Sequence, residues 1–155
     1  MGYELAAAIA QAQIMQAPHF STFRHVKSAE LRGGLILVPI TEALFDEIQD
    51  ASTEEHVRHE PYSKFGYLPI SIVDWLRELS HACEVGYVEA DYFGGNGFQS
   101  SIAWKDGQIS FNPVHDINAI NQLLKHMGVQ AGPSMDEFET VRLGRHRHTE
   151  EWIDG

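Results

Sequence analysis

Residues Val85–Phe111, VGYVEADYFGGNGFQSSIAWKDGQISF, constrain the fold more than any other stretch of this chain. They read as a three-stranded antiparallel meander. Asp106-Gly107 is a strong two-residue hairpin signal, because a type I′ turn needs positive φ at both central positions. That turn sets Trp104 opposite Ile109 and Ile102 opposite Phe111, which would put four large apolar residues on one face. Alternation along the first strand puts Val88, Ala90 and Tyr92 on one face and Tyr87, Glu89 and Asp91 on the other. Matching Val88 to Ile102 requires an odd-length connection, so a five-residue Phe93–Gly97 loop or a glycine bulge is expected.

The rest of the chain supplies helices and one further strand. Tyr3–Gln16 is alanine-rich, with Leu5, Ile9, Ala12 and Gln16 on one stripe, and reads as a helix ended by Pro18. Phe20–Leu31 holds strand-type residues with poor alternation, and Gly33-Gly34 marks a turn. Leu35–Ile40 is a continuous apolar run of strand length, which suggests a strand covered on both faces and stopped or edged by Pro39. Thr41 suits an N-cap for a helix to Asp50, with Leu44, Phe45 and Ile48 facing inward. Ala51–Pro69 reads as an irregular loop, charged first and then aromatic. Ser71, with Asp74 in the capping-box position, opens a helix whose Ile72, Val73, Trp75, Leu76 and Leu79 should pack on the meander. Asp116 is expected to cap a helix with Ile117, Ile120, Leu124 and Met127 inward, stopped at Gly128. Ser134 and Glu137 suggest a last short helix ending at Gly144, with a further turn through Trp152. The expected class is therefore α+β: a single domain over residues 1–155, with a mainly antiparallel sheet (the meander at about 85–111 and a strand at about 34–39) flanked by helices.

Composition narrows the function classes. A chain of 155 residues can bury about two-thirds of its unfolded surface. No apolar run approaches the roughly 20 residues that span a bilayer, and the N-terminus lacks the basic region of a secretory signal. The single Cys83 allows no internal disulfide, which fits a reducing cytoplasm. The net charge of −11 disfavours direct contact with nucleic acid or anionic membrane and favours a basic partner. Thr41–Glu60 concentrates this charge, with seven acids against Arg58 alone. Arg142–His148 runs the other way, with Arg142, Arg145 and Arg147.

The candidate catalytic patterns are weak. Among nine histidines, His56 and His59 stand at i and i+3, and His146 and His148 at i and i+2. Neither pair has the spacing of a zinc site, so no metal and no cofactor is expected. Ser100 follows a glycine-rich turn between strands, not the strand-to-helix nucleophile elbow. Gly94–Gly97 lacks the Lys and Ser/Thr of a phosphate loop. Glu89 and Asp91 share a strand face roughly 7 Å apart, and on an exposed face they read as solvated charges or a contact for basic side chains. No catalytic residue is assigned.

The run Tyr87–Gln99, YVEADYFGGNGFQ, leads into Ile102-Ala103-Trp104, an acidic strand followed by Phe-Gly-Gly-x-Gly-x-Gln and an apolar strand. Together with LILVPITEAL, Asp136-Glu137-Phe138 and Leu143-Gly144-Arg145, it resembles a pattern in small bacterial proteins. Some of these families are similar to immunity proteins of polymorphic or contact-dependent growth-inhibition toxin systems. The resemblance implies a stand-alone soluble protein that binds and blocks a cognate toxin, and carries over no catalytic residue; the acidic charge suits a basic toxin and the lone cysteine a cytoplasmic location. On that reading the contact is formed by Glu42, Asp46, Glu47, Asp50, Glu54 and Glu55 with Tyr62, Phe65 and Tyr67. The sheet face bearing Glu89, Asp91 and Gln99 is the second candidate. Two rival classes remain open: a small ligand-binding domain or enzyme with its site near Gly94–Gly97, and a structural subunit of a larger assembly.

Overall fold

The computed structural model describes residues 2–52, 60–94 and 96–154. In chain order the elements are β1 (Tyr3–Gln11), β2 (Ala29–Glu30), β3 (Leu35–Pro39), α1 (Glu42–Asp50), α2 (Ile70–Leu79), β4 (Val85–Phe93), β5 (Asn96–Lys105), β6 (Gln108–Val114), α3 (Ala119–His126) and α4 (Glu137–Val141). Short 3-10 turns cover Ala12–Gln16, Leu143–Arg145 and Thr149–Asp154. The strands form one six-stranded antiparallel sheet in the order β2-β3-β1-β4-β5-β6. The α+β class is as expected. Among the described residues no helix is long and apolar enough to cross a membrane.

The largest departure from expectation is the first element. Tyr3–Gln11 is a central strand, not a helix, paired with β3 on one side and β4 on the other. Its alternation divides it between two cores: Ala6, Ala8 and Ala10 face one, and Leu5, Ala7 and Ile9 the other. Alanine's helix preference is a fraction of a kcal/mol per residue and yields to packing. The residues Leu5–Ala10 are apolar on every side, which no surface helix can be.

Both faces of the sheet are covered. On one, α1 and α2 bury Leu44, Ile48, Ile72, Val73, Trp75, Leu76 and Leu79 against Tyr87, Ile102 and Trp104, as expected for α2. On the other, α3, α4 and the C-terminal turn bury Ile120, Leu123, Leu124, Val141 and Trp152 against Leu5, Val88 and Ala103. β3 is buried along its whole length and ends at Pro39. Of Phe20–Leu31 only Ala29–Glu30 pairs as a strand, at the sheet edge.

The meander forms, with a corrected register. Phe93 pairs directly with Asn96, so the connection holds two residues rather than five, and Gly94 takes φ +63°. The shorter turn sets Tyr87 opposite Ile102 and Val88 opposite Ser101. Asp106 and Gly107 have the positive φ the second turn needs, 52° and 77°, and Trp104 pairs with Ile109. Register shifts then bring Phe111 opposite Ala103 instead of Ile102. Phe111 therefore turns to the α3 side, its ring 5.0 Å from that of His126.

Helix starts also differ in detail. Thr41 caps α1 as expected, accepting from the Leu44 N–H. α2 begins at Ile70 after Pro69 with no side-chain cap, and Ser71 instead donates its hydroxyl to Gln49. α3 starts at Ala119, so Ile117 stays outside it and is 69% exposed. Asp136, not Ser134, caps α4, and the helix ends on Arg142 in a left-handed conformation, ahead of Gly144.

Candidate functional site

A cleft of about 420 Å³ opens where β1, α1 and the C-terminal turn meet, lined by Glu4, Ala6, Ile40, Glu42, Phe45, Asp46, Tyr67, Thr149 and Glu150. Strand alternation puts Glu4 and Ala6 on this face of β1. Helical spacing puts Glu42 and Asp46, four residues apart on α1, on one side with Phe45 beside them. The C-terminal turn closes the end. Thr149 Oγ1 accepts from the Ala6 N–H at 3.0 Å and donates to Glu4 Oε1 at 2.8 Å, and Glu150 Oε2 accepts from the Glu42 N–H at 2.9 Å. Glu4 and Glu150 are thus held in place. Among the described residues the carboxylates of Glu42 and Asp46 have no partner, and no basic side chain lines the cleft.

Tyr67 stands at the rim, 45% exposed, because its backbone is pinned from below. Glu89 on β4 is buried, at 1% exposure, under the loop that precedes α2. It accepts from the Gly66 and Tyr67 N–H groups, each at 2.7 Å, and from the Tyr87 hydroxyl at 2.6 Å. Burial, and then the Glu89 charge, push the Tyr87 phenol well above its usual range, so it remains a donor. Phe65 plugs the same loop into the core, its ring 5.8 Å from Tyr87 and 4.9 Å from His115. His115 Nδ1 is 2.7 Å from the Ser100 hydroxyl. Burial, and then the Lys64 charge, hold the His115 ring below its ordinary value, so the neutral ring can accept from Ser100.

The expected contact residues separate accordingly. Glu42, Asp46 and Tyr67 come together in the cleft. Asp91 lies just beyond it, in one cross-strand row with Glu4 and Phe98, and Phe93 and Phe98 are exposed at the tip of the β4–β5 hairpin. Glu47 is turned away: its carboxylate accepts from the Arg24 and His25 N–H groups at 2.7 and 2.9 Å. Burial pushes the Glu47 carboxyl up, but those bonds and the His25 ring together hold it below the usual range. Asp50 is exposed at the far end of α1, outside the cleft. Tyr62 is half-buried against the core, its hydroxyl 3.4 Å from the Trp104 indole nitrogen. Phe65 and Glu89 are core residues and offer no accessible contact, which corrects the exposed face expected for Glu89. Gln99 faces the other side of the sheet, its carbonyl accepting from the Ile120 N–H at 2.9 Å. Glu54 and Glu55 lie outside the described residues. Glu4, Phe45, Thr149 and Glu150 complete the site. Glu4 was hidden by the helical reading of β1, and the C-terminal pair join it only through long-range contact.

Ser100 is as buried as Glu89, with its hydroxyl engaged on His115. Among the described residues no three His, Cys, Asp or Glu side chains are grouped to hold a metal ion, and His56 and His59 lie outside those residues. The chain matches no protein-family model, no curated protein and no solved structure.

Proposed function

We propose that this chain is an immunity protein, acting in the cytoplasm, that binds and neutralises a basic bacterial toxin through the cleft between α1, β1 and the C-terminal turn. The observation that carries this reading is the pair of carboxylates, Glu42 and Asp46, unpartnered among the described residues, beside Phe45 and Tyr67 in a concavity that no described basic side chain lines. An arginine or lysine entering there gains two charges and lays its stem along apolar and aromatic surface. The wider charge of −11 speeds the encounter, and the exposed Phe93 and Phe98 offer desolvated contact at the edge of the same face.

The test is a pull-down from lysate of the encoding bacterium at low and high salt, followed by co-expression of the captured partner. The expected result is one stoichiometric basic protein that arrests growth alone and does not when this chain is co-expressed. Glu42→Lys and Asp50→Lys change net charge equally, so long-range steering weakens alike in both. Only Glu42→Lys should lose protection, with dissociation faster by about tenfold or more. Equal effects would remove the cleft, and the absence of any partner at either salt would sink the inhibitor reading.

A further inference from the structure

The basic run Arg142–His148 has no basic side chain in the acidic cleft, yet one of its arginines stands at a second cavity on the opposite face of the sheet. This cavity, of about 320 Å³, is lined by Tyr3, Tyr92, Gln99, Phe138, Gly144 and Arg147. Among the described residues its lining holds three aromatic rings and no carboxylate, in a chain with 22 acids and 11 bases. Tyr3 meets Phe138 edge-on with centroids 5.6 Å apart, and its hydroxyl donates to the Leu143 carbonyl at 3.1 Å. Burial raises the Tyr3 phenol far above its usual range, so that ring stays neutral. Gln99 spends its carbonyl on the Ile120 N–H, which leaves its Nε2 as a donor without a partner among the described residues. The Arg147 backbone is fixed on both sides, its N–H on Glu151 Oε1 at 2.9 Å and its carbonyl accepting from the Glu4 N–H at 2.8 Å. Its guanidinium has no partner among the described residues. Glycine at 144 keeps the wall low, since a Cβ there would stand 3.3 Å from the Phe138 ring.

We propose that this cavity binds a small planar aromatic carboxylate. Two free donors and no lining carboxylate select an anion, and a single guanidinium matches a single negative charge. The planar fork of arginine fits a carboxylate with two parallel bonds. The rings of Tyr3, Tyr92 and Phe138 supply faces and edges for a flat apolar body. The volume lies at the lower end of small-molecule sites, about 300–1,000 Å³, which suits one six-membered ring. This site lies on the opposite face of the sheet from the acidic cleft, and its ligand involves no toxin.

The experiment is a nuclear magnetic resonance titration of the isotope-labelled full chain with benzoate, with benzamide as the uncharged ring and acetate as the charge without a ring. Benzoate should shift signals of Tyr3, Tyr92, Gln99, Phe138 and Arg147, and bind about tenfold more tightly than either control. Arg147 is exposed, so Arg147→Met should keep the spectrum elsewhere and abolish the preference for benzoate over benzamide. Arg147→Lys, which keeps the charge without the fork, should retain part of it. The proposal is overturned if benzoate leaves those signals unmoved, if benzamide binds equally, or if Arg147→Met keeps the preference.

Discussion

Glu89 accepts from Gly66, Tyr67 and Tyr87 while almost wholly out of water. In Glu89→Gln the amide end would turn a donor towards donors, and the charge that strengthens all three bonds is lost. The expected cost is about 2–4 kcal/mol, read as a lower urea midpoint. A change within about 0.5 kcal/mol would mean the loop is held by Phe65 alone. His115 gives a pH-dependent test on the same loop. Its folded value lies below the ordinary 6.5, so above 6.5 the ring is neutral in both states and contributes no pH dependence. As pH falls through 6.5 the unfolded chain takes up a proton that the folded ring resists, and stability drops until the lowered folded value is passed. His115→Gln should therefore lose less stability than the parent between about pH 7 and pH 5, and parallel pH profiles would refute this. None of this network was legible beforehand. Alternation puts Glu89 on the face opposite Val88, but nothing local says that a loop will cover that face.

β1 shows where local preference fails at the scale of an element. Its alanines favour a helix in isolation, and only the unbroken apolar run hints at burial on both sides. The same small residues are what let the strand sit between two packed layers. Ala7, fully buried between Pro39 and Val88, tests this packing: Ala7→Leu should destabilise by about 1–3 kcal/mol in urea unfolding. A neutral result would mean that the α3 side of the sheet has room to spare. Strands with a two-residue turn signal were easier to read. Asp106-Gly107 fixed its own hairpin, whereas the glycines at 94–97 allowed a two-residue or a longer turn, and the choice moved every β4–β5 pair by one residue. Helix bodies were legible from periodicity, and their ends less so, because Pro69 and Arg142 took cap positions that Ser71 and Gly144 were expected to govern.

Across the whole molecule, charge was legible as an amount and as two runs, but not as geometry. The acids of α1 divide by helical phase: Glu42 and Asp46 open to the cleft, Glu47 binds backbone N–H groups, and Asp50 stands apart. Only the folded chain sorts them, because the N–H groups that hold Glu47 and the Glu4, Thr149 and Glu150 walls of the cleft lie far from α1 in sequence. Both proposed sites depend on the same long-range closure, in which Glu4 and Ala6 of β1 bond to Arg147 and Thr149.

That clasp has a consequence for synthesis on the ribosome. β3 follows β1 closely and can cover one of its edges, yet its other neighbour β4 and its clasp at 147–149 are made much later, so the second edge of β1 must wait unpaired. Contacts so distant in sequence make for slow closure. An exposed strand of leucines and valines would be a hazard during that wait. A strand rich in alanine offers far less apolar surface to passing chains, so the residues that favour a helix locally also keep the waiting edge clean until β4 and the 147–149 clasp arrive.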